Sequence, residues 1–326
     1  MSGSQQLPLP DPSAATGATG TPPDEGGALP ISACVIAFNE EANIGACLES
    51  LAFCGERLVV DSRSSDRTRA LALEQGARVI ERDWPGHIAQ KNFAIEQATH
   101  EWVLCLDADE RVTPSLEAAI RALFAGSAGP AADGYQVNRR NLYLGRWIRW
   151  GGWYPDRKLR LFRRARGRWR GVNPHDHVYL DPPGAAPVLG DIEHHTYADV
   201  SDHLRTIDYF SSIAAAEKLS RGQRFLGLNL VFNPPLKFLK MFVLKGGFLD
   251  GWRGLLVAAL GAFYVFLRYA KLWEAVHVRG ERLGQGGSVT YGRRGERAPL
   301  RVEDVGEDAS DHGDDGADPR GRPERS

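Results

Sequence analysis

At 326 residues, 43% hydrophobic and 25% charged, the chain has the composition of an ordinary globular protein with a real core. That length suits one large domain, or one domain with an appendage. A formal net charge of -1 identifies no partner, and the four cysteines (Cys34, Cys47, Cys54, Cys105) form neither a CxxC nor a Cys/His metal pattern; as core thiols they fit a reducing compartment better than secretion.

Residues 1–30 are rich in Pro, Gly, Ala, Ser and Thr and carry no basic stretch followed by an apolar run, so no signal peptide is expected. They read as a disordered tail, because so little apolar surface does not offset the entropy of ordering. Residues 279–326, Gly- and Arg-rich and then acidic, read the same way.

Between the tails the pattern alternates. Residues 31–37 are a short apolar run of strand type, Asn39 is a candidate helix N-cap, and Ile44, Cys47, Leu48 and Leu51 fall on one helical face. A second strand over 57–61 ends in Asp61, and Asp66 can cap a helix that stops at Gly76. A third strand covers 77–80, a helix 86–98, and a fourth strand 101–106, followed by Asp107 and Asp109. Pro114 opens the next helix. Such alternation predicts a mostly parallel sheet with helices on both faces, and ligands of such sheets sit beyond the strand C-termini, where Asn39, Asp61, Asp107 and Asp109 lie.

After residue 132 the character changes. Twelve Arg and Lys residues crowd positions 139–170, interleaved with Trp147, Trp150, Trp153, Tyr154 and Trp169, and only Asp156 opposes them. Arginines among aromatics can bind single-stranded nucleic acid, but no nucleic-acid motif is present and the carboxylate-lined sheet end argues against one. Anionic lipid head groups or a phosphorylated glycolipid fit the same residues. Residues 225–278 are helical and apolar; the longest uncharged run, 254–267, is shorter than the roughly 20 residues a spanning helix needs. An interfacial or re-entrant segment is therefore expected, with a plain core helix as the alternative.

Two carboxylates two residues apart at a strand end, Asp107 and Asp109, can jointly hold a hard divalent cation, Mg²⁺ or Mn²⁺, and a ribose hydroxyl. The bland alternative is a solvated turn. Neither GxGxxG nor GxxxxGK[ST] occurs in the first half, so phosphate binding falls to a cation and to basic side chains such as Lys91. The His-Asp-His sequence at 175–177 offers Asp176 as a general base, or else a hydrogen-bonded loop or a metal site. His194 and His195 read as structural.

Four stretches, ISACVIAFNEE, VVDSRSSDRT, WPGHIAQKNFA and EWVLCLDADER, resemble the family 2 glycosyltransferases. LYLGRWIRWGGWYPDRKLRLFRR, PHDHV and FLDGWRGLLVAALGAFYVFLRYAKLWE resemble its lipopolysaccharide core β-1,4-glucosyltransferase branch. The resemblance implies an α/β fold of GT-A type, a divalent cation, a UDP-sugar donor, a glycolipid acceptor and inversion at the anomeric carbon. It places Phe38, Asn39 and Glu40 along the uridine, Asp61 at the base or ribose, Lys91 at phosphate, Asp107 at ribose or metal, Asp109 on the metal, and Asp176 as the base. Arg63 stands where the family usually has Gly. The implied layout is a nucleotide-sugar half over 31–132, an acceptor-side half over 133–224 and a helical membrane-associated segment over 225–278. The enzyme would lie at the cytoplasmic face of the inner membrane, against anionic lipid. A transferase for another lipid-linked or polysaccharide acceptor, or a non-catalytic nucleotide-sugar binder, is the alternative.

Overall fold

The computed structural model describes residues 27–126, 129–171, 176–223 and 227–279, with the backbone of 289–290 and 299–300. Most of the two segments read as tails lies outside the described residues, as does His175.

Strands β1 (Leu29–Ala37), β2 (Cys54–Asp61), β3 (Arg78–Glu81) and β4 (Trp102–Asp107) run parallel in the order β3-β2-β1-β4. Helices α1 (Ile44–Glu49), α2 (Thr68–Glu74) and α3 (His87–Gln97) connect them. Along β1, Ile31, Ala33 and Val35 enter one core with α1, while Cys34 and Ile36 enter a second core with Ala94 and Ile95 of α3. Burial on both faces explains the unbroken apolar run.

Beyond β4 the sheet becomes mixed. β5 (Glu110–Val112) and α4 (Pro114–Phe124) lead into β6 (Gly134–Tyr143), β7 (Arg146–Ile148), β8 (Asp156–Arg163) and β11 (Ala186–Tyr197). β8 pairs antiparallel to both β4 and β6, β11 runs parallel to β6, and β5 closes the edge antiparallel to β11. A separate ribbon of β9 (Gly167–Arg170) and β10 (His177–Leu180) covers α3 through Trp169 and Val178. This is the GT-A type α/β fold: one sheet with a parallel donor-side half and a mixed second half.

Asn39 is not a helix cap. It has a left-handed φ of 53°, and α1 starts five residues later with Asn43 before it. Its Oδ1 instead accepts the Ser65 backbone N–H at 2.9 Å, and its own N–H donates to Ser64 Oγ at 2.9 Å. The basic stretch is likewise not one surface. Arg139, Arg140, Arg160 and Arg163 turn toward Glu110, Glu193 and Glu101, carboxylates supplied by distant strands and loops. Sequence neighbours in a strand point alternately to opposite faces, so a run of arginines is divided between them.

The chain ends in α5 (Val200–Ser220), α6 (Gly227–Leu239), a π-turn (Lys240–Leu244), a 3₁₀ turn (Gly247–Asp250) and α7 (Gly251–His277). Val265, Tyr269 and Leu272 of α7 pack with Ala215 and Leu219 of α5; Val257 and Ala258 pack with Tyr143 and Ile148. Contrary to the length argument from the uncharged run, Gly247–His277 is long and apolar enough to cross a membrane by length and composition alone.

Candidate active site

The strand ends of β1 and β2 are stitched together. Asp61 is fully buried; its Oδ1 accepts the Ser64 N–H at 2.8 Å and its Oδ2 accepts the Ser64 hydroxyl. The Glu40 N–H donates to Thr68 Oγ1 at 2.7 Å, and Asn43 donates to Glu40 Oε2 at 2.8 Å. Asn39, Glu40 and Asp61 are thus all tied to the 64–68 loop, and Phe38 precedes them on the same rim. Arg63, also left-handed at φ 60°, pairs with Asp83 at 2.5 Å on the surface.

A second group converges at the end of β4. Lys91 Nζ, from α3, lies 3.3 Å from Asp107 Oδ1 and 2.9 Å from Asp176 Oδ2, and sits 4.2 Å over the Trp169 ring. Arg160, buried in β8, reaches Glu110 at 2.7 Å and Asp107 at 3.4 Å. Glu110 is itself fully buried, accepting from Arg139 at 3.2 Å and from the Asp107 N–H at 3.1 Å. Burial opposes the charge on Asp107, but Lys91, then Arg160, Arg139 and His194, outweigh it and hold the carboxyl well below its usual range. Burial likewise works against the Lys91 ammonium, and Asp107 with Asp176 overcomes it, so Lys91 stays charged. His87 beside them is pushed down to about 4 by burial and by Lys91, leaving it neutral near pH 7.

Arg160 also carries two buried nitrogens, Nε and Nη1, with no partner among the described residues. A small cavity opens against them, lined by Lys91, Asp107, Arg160, Trp169 and the thiols of Cys34 and Cys105. Buried donors without acceptors are costly, and the void has room for about one water to satisfy them.

Asp109 faces elsewhere. Its Oδ2 lies 3.3 Å from His194 Nε2, on β11. Asn141 Nδ2 donates to the Trp153 carbonyl at 3.1 Å, which turns its Oδ1 toward His194 Nδ1 at 2.7 Å. The Nε2 edge of His194 thus faces the Asp109 carboxylate. Their 3.3 Å separation is also compatible with two ligands of one cation, since ligands at right angles about a divalent ion with bonds of about 2.1 Å lie roughly 3 Å apart. Among the described residues no cluster of three or more His, Cys, Asp or Glu side chains is gathered to hold a metal unaided. Asp109 and His194 would supply two ligands to a divalent cation, which would neutralise phosphate charge.

The structure thus brings Lys91, Asp107 and Asp176 into one ion-pair chain and sets Asp109 apart, beside His194. Sequence reasoning missed Glu110, Arg139, Arg160 and His194 as site residues. Glu110 adjoins the Asp107–Asp109 motif, but Arg139 and Arg160 reach it from 29 and 50 residues away, His194 comes from β11, and no local spacing announces them.

Residues 32–180 match Glycosyl transferase family 2. The chain is 33% identical over 258 residues to the lipopolysaccharide core biosynthesis glycosyltransferase LpsC of Rhizobium meliloti (strain 1021), covering 76% of this chain and 93% of that protein. It is 30% identical over 263 residues to an uncharacterized glycosyltransferase of Rickettsia typhi, covering 75% and 87%. Among solved structures, S. aureus TarS in complex with UDP-GlcNAc aligns at 14% identity and a TM-score of 0.41, covering 77% of this chain and 92% of that one. The sequence matches agree on one class of enzyme, the transferases of glycosyl groups. The chain belongs to glycosyl transferase family 2, and it is a glycosyltransferase.

Proposed function

We propose that this enzyme transfers a hexose, glucose in the first instance, from a UDP-sugar to a lipopolysaccharide core or similar glycolipid, with inversion at the anomeric carbon. The acceptor class is supported by the similarity to LpsC along most of both chains. The mechanism is supported above all by one observation: Lys91 bridges Asp107, on the donor side, and Asp176, at the start of the β9–β10 ribbon's second strand.

The rim of Phe38, Asn39, Glu40 and Asp61 would hold the uridine. Asp109 and His194 would hold Mg²⁺ or Mn²⁺, with Asp107 beside it toward the ribose. The cation, when bound, neutralises charge on the leaving diphosphate. Arg160, buried against Glu110 and Asp107, holds those carboxylates in place beside the phosphates. Lys91 has a choice of partners. A diphosphate beside Asp107 attracts it away from Asp176, and that carboxylate is then free to take the proton of the acceptor hydroxyl. The acceptor oxygen bonds to the anomeric carbon from the face opposite the diphosphate. The C–O bond to the diphosphate breaks, and its electron pair leaves with UDP.

The test is UDP release by the purified protein across a panel of UDP-sugars, with Mn²⁺, Mg²⁺ or chelator, in the presence of extracted core glycolipid. Cation-dependent turnover of one donor, strongest with that acceptor, is the expected result. Failure to bind UDP under any condition would remove the donor assignment.

A further inference from the structure

We propose that His87, backed by Trp84, recognises the transferred hexose: its imidazole hydrogen-bonds a sugar hydroxyl and so discriminates among UDP-sugar donors. That role rests on the UDP-sugar reading above and names the side chain that chooses the sugar.

On that reading the leaving diphosphate lies beside Asp107 and the acceptor hydroxyl beside Asp176, so the hexose stands between the two. Lys91 marks the interval, at 3.3 Å from Asp107 and 2.9 Å from Asp176. His87 is the first residue of α3 and precedes Lys91 by four, which puts both side chains on one face of the helix. Besides burial, the influences on its ring are Lys91, Asp176 and Asp107, in that order. His87 therefore borders the same interval, one helical turn from the lysine.

The hydrogen-bonding capacity of the ring is unspent. Among the described residues no hydrogen bond or ion pair engages its nitrogens. It meets the Trp84 ring edge-on instead, with centroids 4.6 Å apart and planes at 90°. Its polar neighbours on α3 are used: Gln90 donates to Ser62 Oγ at 3.0 Å, and Lys91 is shared by two carboxylates. His87 is half-buried, so one side of it stays open to a ligand.

Charge selects the ligand group. Burial, and then Lys91, keep the ring neutral near pH 7. A neutral imidazole presents one N–H and one acceptor nitrogen, and a sugar hydroxyl likewise both donates and accepts. A diphosphate only accepts, and the charged Lys91 serves it better. With Trp84 limiting its movement, the imidazole is left unpaired by a hexose whose hydroxyl points elsewhere, and an unpaired polar group is what makes discrimination large.

The experiment compares wild type, His87→Phe and His87→Gln for kcat/KM across a panel of UDP-sugars, and for binding of UDP alone with Mn²⁺. Phe keeps the edge contact with Trp84 and removes both nitrogens; Gln keeps a donor and an acceptor. His87→Phe is expected to lower kcat/KM for the preferred donor about 10- to 100-fold and to narrow its lead over the next donor about tenfold. Affinity for UDP, which lacks the hexose, should stay within about twofold of wild type. His87→Gln should recover part of both losses. A substitution that merely loosened the fold would lower every donor alike, so the spacing between donors carries the test. Unchanged spacing in His87→Phe would overturn the proposal, and so would equal losses of UDP and UDP-sugar binding, which would make His87 a phosphate contact. A wild-type enzyme that binds no UDP would overturn the donor reading itself, before any variant is compared.

Discussion

The two halves of the sheet supply opposite charges to one site by different means. In the parallel half, the carboxylates stand where short strands stop, so Asp61, Asp107 and Asp109 reach the same edge through topology alone. In the mixed half, Arg139 and Arg160 stand inside strands and reach back to Glu110 and Asp107 across the sheet. The first half positions by strand ends; the second positions by burial and pairing. If that difference is real, changes at the parallel edge should cost activity and spare the fold, whereas changes to interior carboxylates should cost stability first.

The largest effect should come at Asp109. Asp109→Ala is expected to lower kcat roughly 10²–10³-fold or more while leaving the melting temperature within a degree or two of wild type. His194→Ala should act through the same cation, and activity should return in part as Mn²⁺ is raised. Steady-state UDP release over a Mn²⁺ titration reads both. A His194→Ala enzyme whose Mn²⁺ dependence matched wild type would separate His194 from the cation.

Asp176→Asn should lower kcat on the order of 10²–10⁴-fold, with KM for the UDP-sugar nearly unchanged, because an amide cannot take the acceptor proton. Lys91→Met should behave differently. It removes a phosphate partner and so should raise KM for the donor as well as lower kcat. Identical kinetic signatures for the two variants would dissolve the exchange of partners proposed for Lys91.

How much of this was legible in the sequence follows the same division. The order of strands and helices through α4 could be read because burial on two sheet faces leaves continuous apolar runs separated by helical periods. Lys91 and Asp176 could be named as candidates, but their direct pairing across 85 positions could not be read. Arg160 looked like one of many arginines; only the antiparallel placement of β8 beside β4 shows that it is buried against Glu110. His194 looked structural because nothing near it in sequence reveals that β11 lies next to β5 and brings Asp109 within reach. Long-range antiparallel pairing carries no local signature, and each of these residues depends on it.

A control within the parallel half lies away from its functional edge. Glu56 accepts hydrogen bonds from Ser32, from Arg78 at 2.8 Å and from the Thr99 N–H at 2.8 Å. Burial opposes its charge, but Ser32, Thr99 and Arg78 prevail and hold it at about 2, against an ordinary value of 4.5. Its folded-state value is depressed, so its contribution is complete above about pH 4.5 and is lost as pH falls toward 2. That contribution is on the order of 3 kcal/mol. Glu56→Gln should therefore lower stability at neutral pH and flatten its decline in acid, measured by denaturant melts across pH, with donor KM unchanged.

The smallest effect should be at Arg63, where the parallel edge departs from its family's glycine. A left-handed φ of 60° costs an L-residue about 1 kcal/mol, which Arg63→Gly would recover. Against this stand the greater entropy of an unfolded glycine, about 0.5–1 kcal/mol, and the ion pair with Asp83. Both side chains of that pair are largely exposed, so it contributes little. The opposing terms leave a net change within about 0.5 kcal/mol, and combining Arg63→Gly with Asp83→Ala in a double-mutant cycle isolates the pair. Because Arg63 is already paired with Asp83, donor KM should not move. A tenfold rise in KM for Arg63→Gly would instead mean that the guanidinium leaves Asp83 for phosphate when donor binds, so that even the parallel edge recruits a cation by changing its partner.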